Sequence, residues 1–200
     1  MLGAMQRRKA QRKAIRISLL ADDAKLREIA FKCLANLKVR DAAEFSVLLE
    51  SVVRFGGDAA TSRVREYLKW GRDEPVEQLD HAFRGATREQ RVVILSVLND
   101  VAIRETDIAS KHYAMLLLRG ARDKAKVVRL ATYRVVLSKL NNEKITPVVI
   151  RDLVSVCVAL AGGGVDASQI LKRAELLQES IYQEQWAAAK ALVRALSRKR

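Results

Sequence analysis

Residues 147–164 read PVVIRDLVSVCVALAGGG, and they decide between a mixed fold and a wholly helical one. Val148 to Val158 is the best strand candidate in the chain, because β-branched side chains favour extended backbone. A half-buried strand alternates apolar and polar residues with period two. Here Val149, Leu153, Val156 and Leu160 recur instead at helical spacing. Thr146 followed by Pro147 is a polar cap with proline at the first helical position, where no N–H is needed. The stretch therefore reads as a helix, and no other segment sustains a two-residue period.

Outward from it, glycine marks the breaks. Gly56, Gly57, Gly71, Gly85, Gly120 and Gly162–Gly164 separate long runs of Ala, Leu, Arg, Lys and Glu, all good helix formers. Glycine inside a helix costs about 1 kcal/mol against alanine, which explains the clustering. Pro75 follows Asp73 and Glu74 as a second helix start, Thr87 with Gln90 has the spacing of a capping box, and Asp22-Asp23 reads as a cap. The expected helices lie near 5–20, 22–38, 41–55, 59–70, 75–84, 88–103, 106–118, 122–140, 147–161, 166–180 and 182–197, the last two being one helix or two. With 5% aromatic residues in a chain that is 50% hydrophobic, the core must be built from Leu, Val, Ile and Ala.

The fold class expected is all-α, with about ten helices in a multi-helix bundle or a short stack of helical hairpins. Leu26, Arg27, Ala30, Leu34 and Leu37 have a spacing that resembles the second helix of a HEAT-type repeat. Val64-Arg65 and Val128-Arg129 begin partial echoes, and Arg27 to Arg65 and Arg91 to Arg129 span the same interval. The echoes do not extend into a full register, so no family is assigned from them. The expected organisation is a basic helix or arm over 1–20, a single all-helical domain over 21–197 and a basic end over 198–200. No Pro/Ser-rich linker divides the chain.

Charge is the strongest functional signal. The 200 residues hold 37 Lys and Arg against 23 Asp and Glu, a net charge of +14. The excess is uneven. Residues 1–20 carry six cations and no acid, and residues 111–151 carry ten cations against Asp123 and Glu143. The N-terminal block is Arg7, Arg8, Lys9, Arg12, Lys13 and Arg16, with Arg8, Arg12 and Arg16 on one face and Ala10, Ala14 and Ile17 behind. An Arg-rich, acid-free start also fits a mitochondrial presequence, and a solvated tail is the bland alternative. In the internal block, Arg122, Lys126, Arg129 and Tyr133 step by 4, 3 and 4, which places them along one stripe of a helix, and Arg119 extends it if the helix starts early. Cations at such intervals match the phosphates of a nucleic acid, and Tyr133 would stack on a base. The C-terminal block adds Arg194, Arg198, Lys199 and Arg200, the first two also suited to a helix C-terminus.

Catalytic chemistry is missing. His81 and His112 are too few and too scattered for a metal site with Cys33 and Cys157. Gly162–Gly164 lacks the Lys-Ser/Thr that follows in a phosphate-binding loop, Asp166 would repel an anion, and the segment is expected to be a flexible connector. Cys157 sits in an apolar stretch and reads as a core thiol. Asp80-His81 are adjacent and point to different sides of a helix. No enzyme activity, metal or cofactor is implied. Two cysteines make no disulfide scaffold, so the expected setting is the cytoplasm or another reducing compartment inside the cell, and no apolar run is long enough for a membrane span.

The function expected is a non-catalytic nucleic-acid-binding or nucleoprotein-assembly protein, sequence-nonspecific, holding phosphates through its basic helical faces. The alternative is a helical protein–protein interaction scaffold for acidic partners, using surface around Trp70 and Phe83, with self-association through the region from Gln178 to Trp186. Peripheral membrane binding is weaker, because the basic blocks lack bulky aromatic anchors.

Overall fold

The structure is a computed structural model that describes residues 2–37, 42–69, 73–99, 107–142, 145–179 and 183–198. Among them are eleven α-helices and no strand: α1 (Leu2–Leu19), α2 (Ala24–Leu37), α3 (Ala42–Phe55), α4 (Asp58–Lys69), α5 (Asp73–Gly85), α6 (Arg88–Asn99), α7 (Asp107–Ala121), α8 (Lys126–Leu140), α9 (Pro147–Gly162), α10 (Ser168–Gln178) and α11 (Gln183–Ser197). Contacts divide the chain into two compact units, Met1–Trp70 and Gly71–Arg200.

In the first unit α1 pairs with α2 and α3 with α4, while α1 packs on α3 and α2 on α4. That is one helical hairpin stacked on another. Ile15 and Leu19 of α1 are buried with Phe45, Leu48 and Val52 of α3 and Val64 of α4. The second unit repeats the scheme in two rows. One row runs α5, α7, α9, α11 and the other α6, α8, α10, each helix packed on the next in its row. The stack, not the bundle, is therefore the architecture. Its core is aliphatic: Leu79, Leu95, Leu98, Leu116, Leu140, Ile150, Leu153 and Leu160 are fully enclosed. Helices approach closely at Gly120, where a Cβ would collide with the Thr132 hydroxyl of α8.

The helix ends follow from local chemistry. Asp23 Oδ1 accepts the N–H of Lys25 at 2.8 Å and of Leu26 at 3.3 Å, capping α2. Thr87 and Gln90 form the reciprocal capping box: the Thr87 N–H donates to Gln90 Oε1 at 2.9 Å, and the Gln90 N–H to Thr87 Oγ1 at 3.3 Å. Gly162–Gly164 is a fixed Schellman turn rather than a flexible connector. Gly164 has φ +75°, Val165 N–H donates to Leu160 O and Gly164 N–H to Ala161 O, both at 3.1 Å. Val165 and Leu160 are both buried beneath it.

Carbonyls at helix ends and turns are taken up by side chains of later helices. Ser51 Oγ donates to Leu19 O at 2.8 Å, and Tyr113 Oη to Leu98 O at 3.2 Å. Lys139 Nζ donates to Asn99 O and Arg173 Nε to Leu140 O, both at 2.9 Å. Two arginines clamp the turn before their own helix at the same offset. Arg27 donates to Ala21 O and Asp22 O at 2.7 and 2.8 Å, and Arg129 to Asp123 O and Lys124 O at the same two distances. Arg27 and Arg129, one from each of the two echoing intervals, thus share a structural role as turn clamps.

Three outcomes follow from this packing. Arg129→Gln removes a charged donor from two carbonyls and destabilises the protein by about 1–3 kcal/mol in urea unfolding, whereas Lys126→Gln, exposed and three residues earlier, changes it by less than about 0.5 kcal/mol. Gly164→Ala costs about 1–2 kcal/mol, because only its φ is left-handed among these three glycines, and Gly162→Ala, helical with open space around it, costs nothing. Burial pushes the Cys157 thiol from 9.0 up to about 12, while Cys33 is exposed. A thiol reagent at neutral pH therefore labels Cys33 alone until the chain unfolds. The unfolded thiol ionises above its ordinary value and the folded one does not, so Cys157 lowers stability progressively between those two pH values; Cys157→Ala flattens that part of the profile.

Candidate interaction surface at the turn edge of the second unit

The expected stripe Arg122–Lys126–Arg129–Tyr133 does not exist as one helical face. Asp123 Oδ1 accepts the Ala125 N–H at 2.8 Å, so a turn intervenes and α8 begins only at Lys126. Arg122 lies in that turn. Arg129 is the clamp described above, and its side chain lies against Gly163, where a Cβ would come within 3.0 Å of it. Tyr133 Oη donates to Gln169 Oε1 of α10 at 3.4 Å, and partial burial, with the nearby Asp166 charge, raises its phenol above the ordinary value. Arg119 donates through Nε to Asp80 Oδ1 at 2.7 Å and ties α7 to α5. Of the five residues read as a stripe, Arg122 and Lys126 are exposed cations without an ion pair among the described residues.

What the fold does bring together is a different set. Arg122, Lys124 and Lys126 follow one another along the α7–α8 turn, all exposed. Lys124 was missed because the reading sought residues on a continuous helix; the signal that would have found it is Asp123, two residues before an N–H it can cap. Beside the turn lies a hollow of about 760 Å³ bordered by Phe83, Arg84, Met115, Leu118, Arg119 and Lys124, among others. A second, of about 720 Å³, shares Arg122 and Asp123 with it and is floored by Val154, Val158 and Gly163. The hollows are adjacent sectors of one edge.

The charges around the first hollow do not cancel. Arg84 and Arg119 both hold Asp80, whose side chain is 11% exposed. Arg91 is matched by Asp123 at 2.7 Å and also donates to Phe83 O at 3.2 Å. Arg122 and Lys124 have no such match among the described residues, which leaves the edge positive. The base is apolar. Phe83 is 3% exposed, with the Arg91 guanidinium 5.5 Å from its ring centre, and Met115 is an exposed apolar side chain on α7. Phe83 is thus core at the foot of a hollow and not an open surface.

The remaining expected residues are dispersed. On α1, Lys9 and Lys13 are exposed, Arg12 and Arg16 half-buried, and Ile15 and Leu19 face the core. Ala10, Ala14 and Ile17 point to solvent, so the apolar back of this helix is not its packed side. Arg194 and Arg198 are exposed at the end of α11, and Trp186 on that helix is half-exposed with Lys190 Nζ 4.3 Å from its ring centre. The side chains of Arg7 and Arg8, and Trp70, Lys199 and Arg200, lie outside the described residues. No helix among the described residues is long and apolar enough to cross a membrane, and no group of three or more metal-ligating side chains is assembled there.

No protein-family model matches the chain, and no curated protein matches it in sequence. Among solved structures it is similar to an engineered protein, at 13% identity over 94% of this chain and 97% of that one, with a TM-score of 0.41. It is also similar to a designed armadillo repeat protein, at 14% identity over 91% of this chain and 98% of that one, with a TM-score of 0.37. Both overlays are loose, and the stacked-hairpin architecture rests on the helix pairing described above.

Proposed function

We propose that this chain is a non-catalytic interaction scaffold that engages an anionic macromolecule along the turn edge of its second unit. The observation that carries the reading is the run Arg122, Lys124 and Lys126, exposed in series without ion pairs to described residues, beside hollows that the stack itself creates. The non-catalytic part draws support from what the candidate groups are doing. Asp80 is held by two guanidiniums and the Cys157 thiol is buried and protonated.

Two anionic partners compete. A nucleic acid, bound through its phosphates without sequence preference, is supported by the same run of cations together with the six cations of residues 1–20. An acidic protein segment is supported by the apolar base of the hollow. Both require the turn-edge cations, so one variant tests the shared claim. Arg122→Gln, Lys124→Gln and Lys126→Gln combined keeps long, helix-compatible side chains and leaves the Arg129 clamp intact. Fluorescence anisotropy across a salt series, with a single-stranded oligonucleotide and with polyglutamate, is the measurement. The expected result is a fold at least as stable as the wild type, since two disfavoured cations leave the N-terminus of α8, weaker binding of whichever polyanion binds the wild type, and, for the oligonucleotide, a salt slope smaller by about 2, since each single-strand phosphate contact contributes roughly 0.7. Unchanged affinity and slope would make these cations a solubility feature.

A further inference from the structure

The hollow between the C-terminal turn of α5 and helix α7 is unlike a track for a phosphate backbone. We infer that it seats an acidic peptide segment of a partner protein that carries one large apolar side chain among its carboxylates. The inference rests on the scaffold reading above and adds the chemistry of the occupant.

The geometry supplies two layers. At the base, Leu118 and the 49%-exposed Met115 of α7 lie with the edge of Phe83. Methionine is unbranched and polarizable, and it adapts to apolar side chains of several shapes. The same hollow is lined by Arg84, Arg119, Arg122 and Lys124, and by Arg91 and Asp123, which pair with each other. Among the described residues Arg84 and Arg119 share one carboxylate, Asp80, and the side chain of Arg84 is 58% exposed. Arg84 donates Nε and Nη2 to Asp80 Oδ2, and the exposed guanidinium keeps further N–H donors for a second carboxylate. The hollow is within the range of pockets that take several side chains, so an apolar anchor and its flanking carboxylates fit together.

A single-stranded nucleic acid would use the site differently. Base stacking needs an open aromatic face, but Phe83 is almost fully covered and already faced by Arg91. Tyr133 is engaged with α10. A duplex offers phosphates over several turns, whereas the run Arg122, Lys124 and Lys126 is confined to one turn, and the hollow beside it is lined by Phe83, Met115 and Leu118 as well. Excess positive charge beside apolar surface rewards an occupant that brings carboxylates and hydrocarbon together.

The test uses the full chain and three fluorescent probes. One is a pool of twelve-residue peptides rich in Asp and Glu with a single central Leu or Phe. The second is the same pool with Ser at the central position. The third is an oligothymidylate of equal charge. Binding is read by anisotropy at fixed salt for the wild type, for Met115→Gln, and for Arg122→Gln with Lys124→Gln. Met115 is exposed, so its replacement leaves folding intact, and circular dichroism checks this. The wild type is expected to bind the anchored pool about tenfold more tightly than the Ser pool, the effect of burying one apolar side chain. Met115→Gln should erase that preference without changing the salt dependence, and the double Gln variant should weaken both pools. Equal binding of the two pools, or tighter binding of the oligothymidylate than of the anchored pool, overturns the inference. In those cases the scaffold reading survives if the cation variant still weakens binding. If the wild type binds none of the three probes, both readings fall.

Discussion

Every α-helix ends with carbonyls that its own backbone cannot satisfy, and in this protein the helices stack so that later side chains satisfy them. Tyr113 and Lys139 take the last carbonyls of α6, and Arg173 takes that of α8. Ser51 does the same for α1. Leaving such a group buried and unpaired costs about 1–3 kcal/mol, so the rows cannot slide or separate without loss. Apolar packing supplies most of the stabilisation but tolerates small shifts; a hydrogen bond to one named carbonyl does not. These contacts set the register of one hairpin on the next.

That constraint explains why charge read along the chain misleads about charge on the surface. Ten cations lie between residues 111 and 151, and three of them are occupied inside the fold. Arg119 is held by Asp80, Arg129 by turn carbonyls, and Lys139 by the end of α6. Long cationic side chains suit this work, because an apolar stem can be buried while the donor reaches a carbonyl. The basic block is therefore partly a set of internal ties and partly a surface.

The readable and unreadable parts divide on the same line. Helical spacing in Val149, Leu153, Val156 and Leu160 was enough to reject a strand, because burial on one face is a local pattern. Caps at Asp23 and Thr87 were equally local. The partners of Arg119, Arg91 and Lys139 lie 39, 32 and 40 residues away in sequence, and no periodicity within one helix points to them. The stripe through Tyr133 failed by a boundary error of four residues. Once Asp123 caps the turn, Arg122 and Arg129 no longer share a helix.

The turn cations can be weighed against the helix that follows them. The N-terminus of a helix carries partial positive charge, and a cation placed there costs about 0.3–1 kcal/mol. Helix α8 begins with Lys126, has no acidic residue in its first turn, and is preceded by Lys124. Asp123, the one carboxylate at this end, is already matched with Arg91. Arg122 is better placed, since it follows the C-terminus of α7, where a cation is favoured. Stability alone thus accounts for Arg122 but runs against Lys124 and Lys126. An anion arriving at the turn would relieve the repulsion, because the same dipole that disfavours the lysines attracts negative charge. The repulsion lies within the first turn of α8, beside the hollow rather than on the helix bodies. The three turn cations are all exposed, so they remain free to meet a partner there.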